Sequence, residues 1–206
     1  MDICRYGSLQ KDIRLILNNL KKRKLKLKKI IFLGDVRHFF SYTKIEKNLF
    51  LELLNLLDKY IKRENIIIIR GNHETTDKIA DKRLIDYYIK KNIAFIHGDK
   101  IYPKIFDKKI KIIVMGHLHP AVSLKDPQKI KNEKYKCFLK GEYKRKDIII
   151  LPSFLPNTEG FPVNEYMSNS HCIIPAKNLM NFKVYAIGKS KIYDFGILKK
   201  LHWHSW

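Results

Sequence analysis

Cysteine, acidic residues and long apolar runs are scarce in this sequence, and each scarcity excludes a class of protein. There are three cysteines, Cys4, Cys137 and Cys172, and no CxxC pair. Their odd number and wide spacing argue against a disulfide framework or a zinc–thiolate scaffold and favour a reducing compartment. No apolar stretch approaches the roughly 18 residues of a membrane-spanning helix, and the N-terminus lacks the layout of a signal peptide. We therefore expect a cytoplasmic protein with no membrane partner.

The shortage of acidic residues leaves a strongly basic chain. It has 20 Asp and Glu against 42 Lys and Arg, a formal net charge of +22. Such a surface attracts polyanions, namely nucleic acid, phosphorylated small molecules or anionic lipid. A lysine-rich proteome from a hot habitat would also explain the charge, and the composition leaves both explanations open. There is no aromatic-rich stretch of the kind that stacks on single-stranded nucleic acid.

Short, unalternated apolar runs separated by amphipathic stretches predict an α/β fold. Apolar residues at helical spacing predict helices over 9–20, 45–62 and 76–91. Buried strands are predicted at 30–33, 66–70, 93–96 and 111–115. After about residue 121 strand and turn signals dominate, with strands predicted at 136–139 and 148–151 and a hairpin formed by 183–187 and 191–196.

Polar residues directly follow each of the four early strands. "GDVRH" (34–38) follows the first, "GNHE" (71–74) the second, "HGD" (97–99) the third and "GHLHP" (116–120) the fourth. Glycine permits a sharp turn at such positions. Because the carboxyl ends of strands in an α/β sheet share one edge, we expect five side chains to converge there: Asp35, Asn72, His97, His117 and His119.

These five side chains form a ligand set for a divalent metal ion. Imidazole suits zinc, iron and nickel, whereas carboxylate and amide oxygens suit manganese. The set contains no thiolate, which argues against structural zinc. In an H-x-H pair on extended backbone, alternate side chains share a face, so His117 and His119 are expected to reach the same centre. Each motif alone is more often a turn or a core histidine, and the metal site is predicted from their joint pattern.

The ordered motifs GD-xx-H, GNH-[D/E], a lone His and GH-x-H resemble those of the calcineurin-like metallophosphoesterase superfamily. The segments "HGDK" (97–100), "GHLHPAV" (116–122) and "LPSFLPNTEG" (151–160) look like a small archaeal and bacterial branch. That branch is related to the double-strand-break repair nuclease subunit and to ligase-associated phosphoesterases. The resemblance covers about residues 30 to 196.

The resemblance implies an α/β fold in which a metallophosphoesterase-like β-sandwich of mixed sheets is flanked by helices. We expect a single domain over 1–206. It would comprise a metal-site half (30–120), a strand-rich half (121–196) and a tail (197–206).

The resemblance also implies a hydrolase of phosphate esters, in which two metal ions about 3.5–4 Å apart clamp the ester and a metal-bound hydroxide is the nucleophile. Asp35 would bridge both metals, Asn72, His97 and His117 would complete the second, and His119 would belong to the first. His73 would stabilise the developing charge and assist the leaving group. The expected substrate is a phosphodiester of nucleic acid or a nucleotide, and the expected metal is manganese, with zinc, iron and nickel as alternatives.

The sequence departs from the family at its N-terminus. The family opens with a strand followed by D-x-H, whereas this chain opens with "MDICRYGSLQ" and a helix. In one interpretation "DIC" (2–4) is a drifted motif with Cys4 in place of histidine, and in the other, which we favour, the first strand is missing. Since the first metal then keeps only Asp35 and His119, we expect one metal to bind well, a second poorly, and activity to be weak. The competing hypothesis is a catalytically degenerate phosphoesterase fold that binds nucleic acid or a protein partner.

Overall fold

A computed structural model describes residues 3–36, 44–74, 77–79, 82–125, 132–155, 158–165, 172–189 and 191–201. Within these ranges, the side chains of residues 3–6, 44–47, 125 and 132 are not described. The chain divides into two compact units. The first unit is Met1–Tyr88 with Leu155–Asn157, and the second unit is Ile89–Phe154 with Thr158–Trp206. The single domain expected over 1–206 stays a prediction.

The first unit contains a four-stranded mixed sheet and two helices. β1 (Ile30–Phe32) is parallel to β2 (Ile66–Ile69), β2 is parallel to β4 (Lys82–Ile85), and β4 is antiparallel to β3 (Lys78–Ile79). Helix α1 (Ile3–Lys22) precedes β1, and helix α2 (Lys44–Asp58) lies between β1 and β2, followed by a 3-10 turn at Arg63–Asn65. The two helices predicted first along the sequence and the strands predicted at 30–33 and 66–70 are confirmed.

The core of the first unit lies where both helices pack against the sheet. Its buried members include Leu9 and Leu17 of α1, Phe50, Leu53, Leu54 and Leu57 of α2, and Ile66, Ile68 and Leu84 of the sheet. Complete burial of one such side chain contributes about 1.5–3 kcal/mol. This packing fixes β1 and β2, and the loops that carry Asp35 and Asn72 begin at their carboxyl ends.

The helix predicted over 76–91 is wrong, because the described part of this segment forms strands. Leu84 is aligned with Ile68 of β2, and the N–H of Arg70 donates a hydrogen bond to the carbonyl oxygen of Ile85 (2.8 Å). The segment is rich in β-branched and aromatic residues, which suit a strand. Pairing with β2 satisfies the backbone of the segment and overrides the helical spacing of its apolar residues.

The second unit is built on a nine-stranded mixed sheet. Its strands are β5 (Tyr87–Lys90), β6 (Ile93–Ile96), β7 (Ile112–Met115), β8 (Pro120–Lys125), β9 (Asn132–Tyr143), β10 (Lys146–Ile150), β11 (Phe161–Pro162), β12 (Lys183–Ile187) and β13 (Ile192–Ile197). The order of the strands is β11-β8-β9-β10-β7-β6-β5, and β12 pairs with both β9 and β13. The unit also contains a short helix, α3 (Ala176–Leu179), and 3-10 turns at Pro103–Phe106 and Leu198–Leu201. The boundary between the units falls within β5.

Three adjacent parallel strands of this sheet end together. Ile96 of β6, Met115 of β7 and Ile150 of β10 are aligned across the sheet. The residues that follow these three therefore leave the sheet at one edge. The strands predicted at 93–96, 111–115, 136–139 and 148–151 are confirmed, as is the hairpin, since β12 and β13 are antiparallel.

Two mixed sheets and three α-helices among the described residues agree with the predicted fold class. α1 begins at Ile3, so Cys4 lies in its first turn rather than after a strand. Residues 1–2 lie outside those described. None of the described helices has the length and apolar character needed to cross a membrane.

Candidate metal centre

His97 follows β6 in the second unit and is 1% exposed. Because Ile96 is aligned with Met115, His97 and Gly116 leave the sheet side by side. The N–H of Gly116 donates a hydrogen bond to the carbonyl oxygen of His97 (2.9 Å), which continues the ladder one residue beyond the strands. The backbone therefore fixes His97 at the sheet edge that the sequence predicts.

The imidazole rings of His97 and His117 meet at this edge. Nε2 of His97 lies 3.0 Å from Nδ1 of His117, and the ring centroids are 4.8 Å apart at an interplanar angle of 67°. His97 is buried and His117 is half-buried, so the pair is largely shielded from water. A neutral imidazole has one nitrogen lone pair that accepts either a proton or a metal ion. Two nitrogens this close can share a hydrogen bond or face one cation.

Three of the five predicted ligands have a left-handed backbone. The angle φ is 54° at Asp35, 62° at His117 and 47° at His119. This region disfavours residues with a Cβ. Among the other described non-glycine residues, positive φ occurs only at four basic ones: Lys24, Lys91, Lys144 and Arg145. Such strain persists where the surroundings impose it, and it concentrates at functional sites.

His119 is half-buried and is held by the segment that leads into β11. The N–H of Phe161 donates a hydrogen bond to the carbonyl oxygen of His119 (2.8 Å), and a Cβ on Gly160 would lie 2.7 Å from the same oxygen. The extended backbone expected for the H-x-H pair is wrong, because the chain turns at both His117 and His119.

In the first unit Asp35 lies against Gly71. A Cβ on Gly71 would lie 2.2 Å from Oδ1 of Asp35 and 2.5 Å from its backbone nitrogen. Only glycine fits this position, because backbone atoms leave no room for a side chain. Since β1 and β2 are parallel, the loops after them begin at the same edge of the sheet, as the sequence predicts.

Glu74, which the sequence motifs do not single out as a functional residue, joins the two loops. It is 6% exposed, and its Oε2 accepts hydrogen bonds from the N–H of Gly71 (2.6 Å) and the N–H of Asp35 (3.2 Å). Hydrogen bonds to an ionised carboxylate are about twice as strong as neutral ones. The sequence signal for this role is the glutamate at the end of "GNHE", but the sequence does not show which backbone groups its carboxylate would bind.

Asn72 and His73 follow Gly71 in a turn and are exposed. The first unit therefore presents a carboxylate and an amide at one sheet edge, and the second presents three imidazoles on two adjacent loops. The oxygens of the first unit are donors that suit manganese, and the imidazole nitrogens of the second suit zinc, iron or nickel. The structure brings His97 to His117, and Asp35 to the glycine that precedes Asn72.

The two described cysteine side chains are unsuited to metal ligation. Burial raises the pKa of the Cys137 thiol to about 12, and it also raises the pKa of Cys172. A thiolate rather than a thiol is the metal ligand, so both groups remain in the non-binding form at neutral pH. This agrees with a site built from nitrogen and oxygen donors.

The chain is similar to a known protein family and to several solved structures. The family model for calcineurin-like phosphoesterases matches residues 2–187. Similar solved structures include a single mutant of Vps29 from Entamoeba histolytica, with 12% identity over 89% of each chain and a TM-score of 0.42. Vacuolar protein sorting 29 from Cryptosporidium parvum has 14% identity over 82% of this chain and 80% of its own, with a TM-score of 0.40. A predicted phosphoesterase from Streptococcus pneumoniae has 14% identity over 87% of this chain and 79% of its own, with a TM-score of 0.27. No protein of curated function matches this chain.

Proposed function

Because this chain belongs to the calcineurin-like phosphoesterase family, we propose that it is a metal-dependent hydrolase of phosphate esters that cleaves phosphodiester bonds in nucleic acid or nucleotides. The observation that supports this most directly is the imidazole pair of His97 and His117, whose nitrogens are 3.0 Å apart. A strained loop holds one member of this pair, since φ of His117 is 62°. Closely spaced imidazoles are the ligand type that borderline divalent metals prefer.

The proposed ligands are Asp35 and Asn72 through oxygen, and His97, His117 and His119 through nitrogen. The mixed donor set suits manganese, with zinc, iron and nickel as alternatives. When bound, the metal polarises a phosphoryl oxygen and lowers the pKa of coordinated water toward about 7. The chain holds the ligands in place through the backbone bonds at His97 and His119 and through the Glu74 carboxylate.

His73 is proposed as the catalytic imidazole. It is exposed and directly follows Asn72, so it is accessible to a substrate at this turn. An imidazolium can donate a hydrogen bond to negative charge that develops on the phosphoryl group and can give its proton to the leaving oxygen. His73 therefore acts on the ester rather than on the metal.

The proposal is tested with bis(p-nitrophenyl) phosphate, a generic phosphodiester, and manganese-loaded protein. We expect Asp35→Ala and His117→Ala to lower hydrolysis at least about a hundredfold, since each removes a ligand. Asp147→Ala is the matched control, because Asp147 is an exposed carboxylate at the opposite end of β10. Wild-type rates in both ligand variants would show that the site assignment is wrong.

One metal ion is expected to bind tightly and a second weakly. Asn72, His97 and His117 with Asp35 complete one ligand set, whereas the other keeps only Asp35 and His119. Cys4 is helical, so the family's first D-x-H motif has no extended counterpart at this position. Elemental analysis after dialysis should find about one ion per chain, and two tightly held ions would contradict the expectation.

A second candidate is a phosphoesterase fold that binds nucleic acid or a protein partner without turnover. The observation that favours it is the net charge of +22. Binding of DNA in EDTA, with no hydrolysis under any of the four metals, would favour this candidate over the enzyme.

The cysteines support a cytoplasmic location. Cys137 and Cys172 are both free, and burial raises the pKa of each thiol, which keeps it protonated and unreactive. Free buried thiols are usual in a reducing compartment. Fractionation of cells that express the tagged chain would test this location, and recovery in a secreted or membrane fraction would contradict it.

A further inference from the structure

The loop that carries His117 and His119 passes two other strands of the sheet, β9 and β10. In the sheet order β8-β9-β10-β7, the chain leaves β7 after Met115 and enters β8 at Pro120, so β9 and β10 lie between. β10 is parallel to β7 and ends at the same edge. Residues 116–119 therefore lie at the edge where β10 ends.

Lys136 of β9 reaches this edge. It pairs with Ala121 of β8, two residues after His119. Its Nζ donates a hydrogen bond to the carbonyl oxygen of Ser153 (3.0 Å), three residues after β10 ends. Both ends of the Lys136 side chain are thus placed, one by the strand register and the other by Ser153.

The Lys136 side chain is half-buried, and this burial lowers its pKa. The pKa falls because the charged form is desolvated, and in such surroundings an anion near the ammonium interacts with it more strongly than in water. The carbonyl of Ser153 fixes the ammonium but carries no formal charge. The hydrogen bond to Ser153 and the strand register therefore place the ammonium beside the histidine loop.

Two other lysines of β9 and β10 have contacts typical of a structural role. Lys146, at the opposite end of β10, is 7% exposed and donates hydrogen bonds to the carbonyl oxygens of Asp107 (2.8 Å) and Ile110 (2.7 Å). Lys134 forms an exposed ion pair with Glu159. Neither of these two lysines lies at the level of the histidine loop, and Lys136 differs from both in this location.

We propose that Lys136 binds a non-bridging phosphoryl oxygen of the substrate and so positions the ester beside the histidine loop. This inference rests on the proposed function, because a phosphate ester is the anion concerned. An ammonium group binds phosphate well because the ammonium is a compact positive charge with several N–H donors. Lys136 is a substrate-binding residue in this view, and it neither ligates the metal nor transfers a proton.

The test compares Lys136→Met, Lys136→Arg and Lys140→Met in manganese-loaded protein. Lys140→Met is the matched control, because Lys140 is an exposed lysine of the same strand that is paired with Ile149 inside the sheet, four residues and about 13 Å from Lys136. With bis(p-nitrophenyl) phosphate we expect Lys136→Met to raise KM about tenfold and to leave kcat within about twofold. Lys136→Arg should recover most of the loss, and Lys140→Met should match the wild type.

A second readout separates this inference from the proposed function. Binding of inorganic phosphate to the manganese-loaded protein, measured by calorimetry, needs no turnover and should be about tenfold weaker in Lys136→Met. The affinity for manganese and the thermal midpoint should not change. If the wild type shows no hydrolysis, and phosphate binding is still weaker in Lys136→Met, the proposed function fails and the role of Lys136 stands. Equal phosphate affinity in Lys136→Met and Lys140→Met, no phosphate binding by the wild type, or weaker manganese binding in Lys136→Met would overturn it.

Discussion

Single residues at the strand ends hold the candidate site in backbone conformations that few side chains tolerate. Asp35, His117 and His119 are left-handed, and Gly71 admits no Cβ. The sequence predicts the residue types of the ligands, because ligand chemistry depends on composition. It does not predict these backbone angles, because packing on each loop imposes them. The hydrogen bonds of Glu74 are likewise set by the fold, since its two N–H partners are 3 and 39 positions away in the sequence.

The glycine at position 71 gives a direct test of this constraint. We expect Gly71→Ala to lower the free energy of unfolding by about 1–3 kcal/mol, because the new Cβ meets backbone and a carboxylate. Gly7→Ala is the matched control, since nothing lies within 4 Å of a Cβ at this exposed position in α1. It should stabilise the chain by up to about 1 kcal/mol. Urea unfolding measures both, and equal stability of the two variants would contradict the close packing at Gly71.

A second residue-scale prediction concerns pH. Burial raises the pKa of Cys137 to about 12 from an ordinary value of 9.0. Between these values the unfolded state binds fewer protons than the folded state, so the stability that this thiol contributes is complete below about pH 9 and is lost as the pH rises to about 12. The slope reaches about 1.4 kcal/mol per pH unit. Cys137→Ala should remove this part of the slope in urea titrations, whereas parallel curves for the variant and the wild type would contradict it.

Secondary-structure elements could be predicted where the local pattern agreed with the pairing. Apolar runs that end at glycine or histidine identified β1, β2, β6 and β7. The strands β3 to β5 were missed because the same residues fit a helical period, and only pairing with other strands, such as that of β4 with β2, decides between helix and strand. The candidate site depends further on the strand order, which carries residues 116–119 past the end of β10 and which no local pattern encodes.

The strand assignment of β4, within the segment predicted as a helix over 76–91, can be tested by secondary-structure propensity. Arg83 is exposed in β4, opposite Lys78. In a strand, threonine is favoured over alanine on a scale that spans about 1 kcal/mol, whereas in a helix alanine is favoured by about 0.5 kcal/mol. We therefore expect Arg83→Thr to be more stable to urea than Arg83→Ala. The reverse order would support the helix predicted from the sequence for 76–91.

At the scale of the whole molecule the dominant property is the net charge of +22. Long-range attraction of anions acts on any phosphate-bearing partner, whether or not it is cleaved. The charge therefore supports both the hydrolase and the binding protein. Measuring binding apart from hydrolysis separates the two.

We expect the chain to bind a fluorescent double-stranded oligonucleotide in EDTA with a steep dependence on salt. If about four phosphates are neutralised, the affinity should fall about a hundredfold between about 50 and 200 mM salt, because counterions are released on binding. Asp35→Ala is the control, since a ligand variant that loses hydrolysis should keep this electrostatic binding. Affinity that is absent or independent of salt would assign the charge to the lysine-rich composition of the source proteome, because a surface that neutralises phosphates must respond to competing ions.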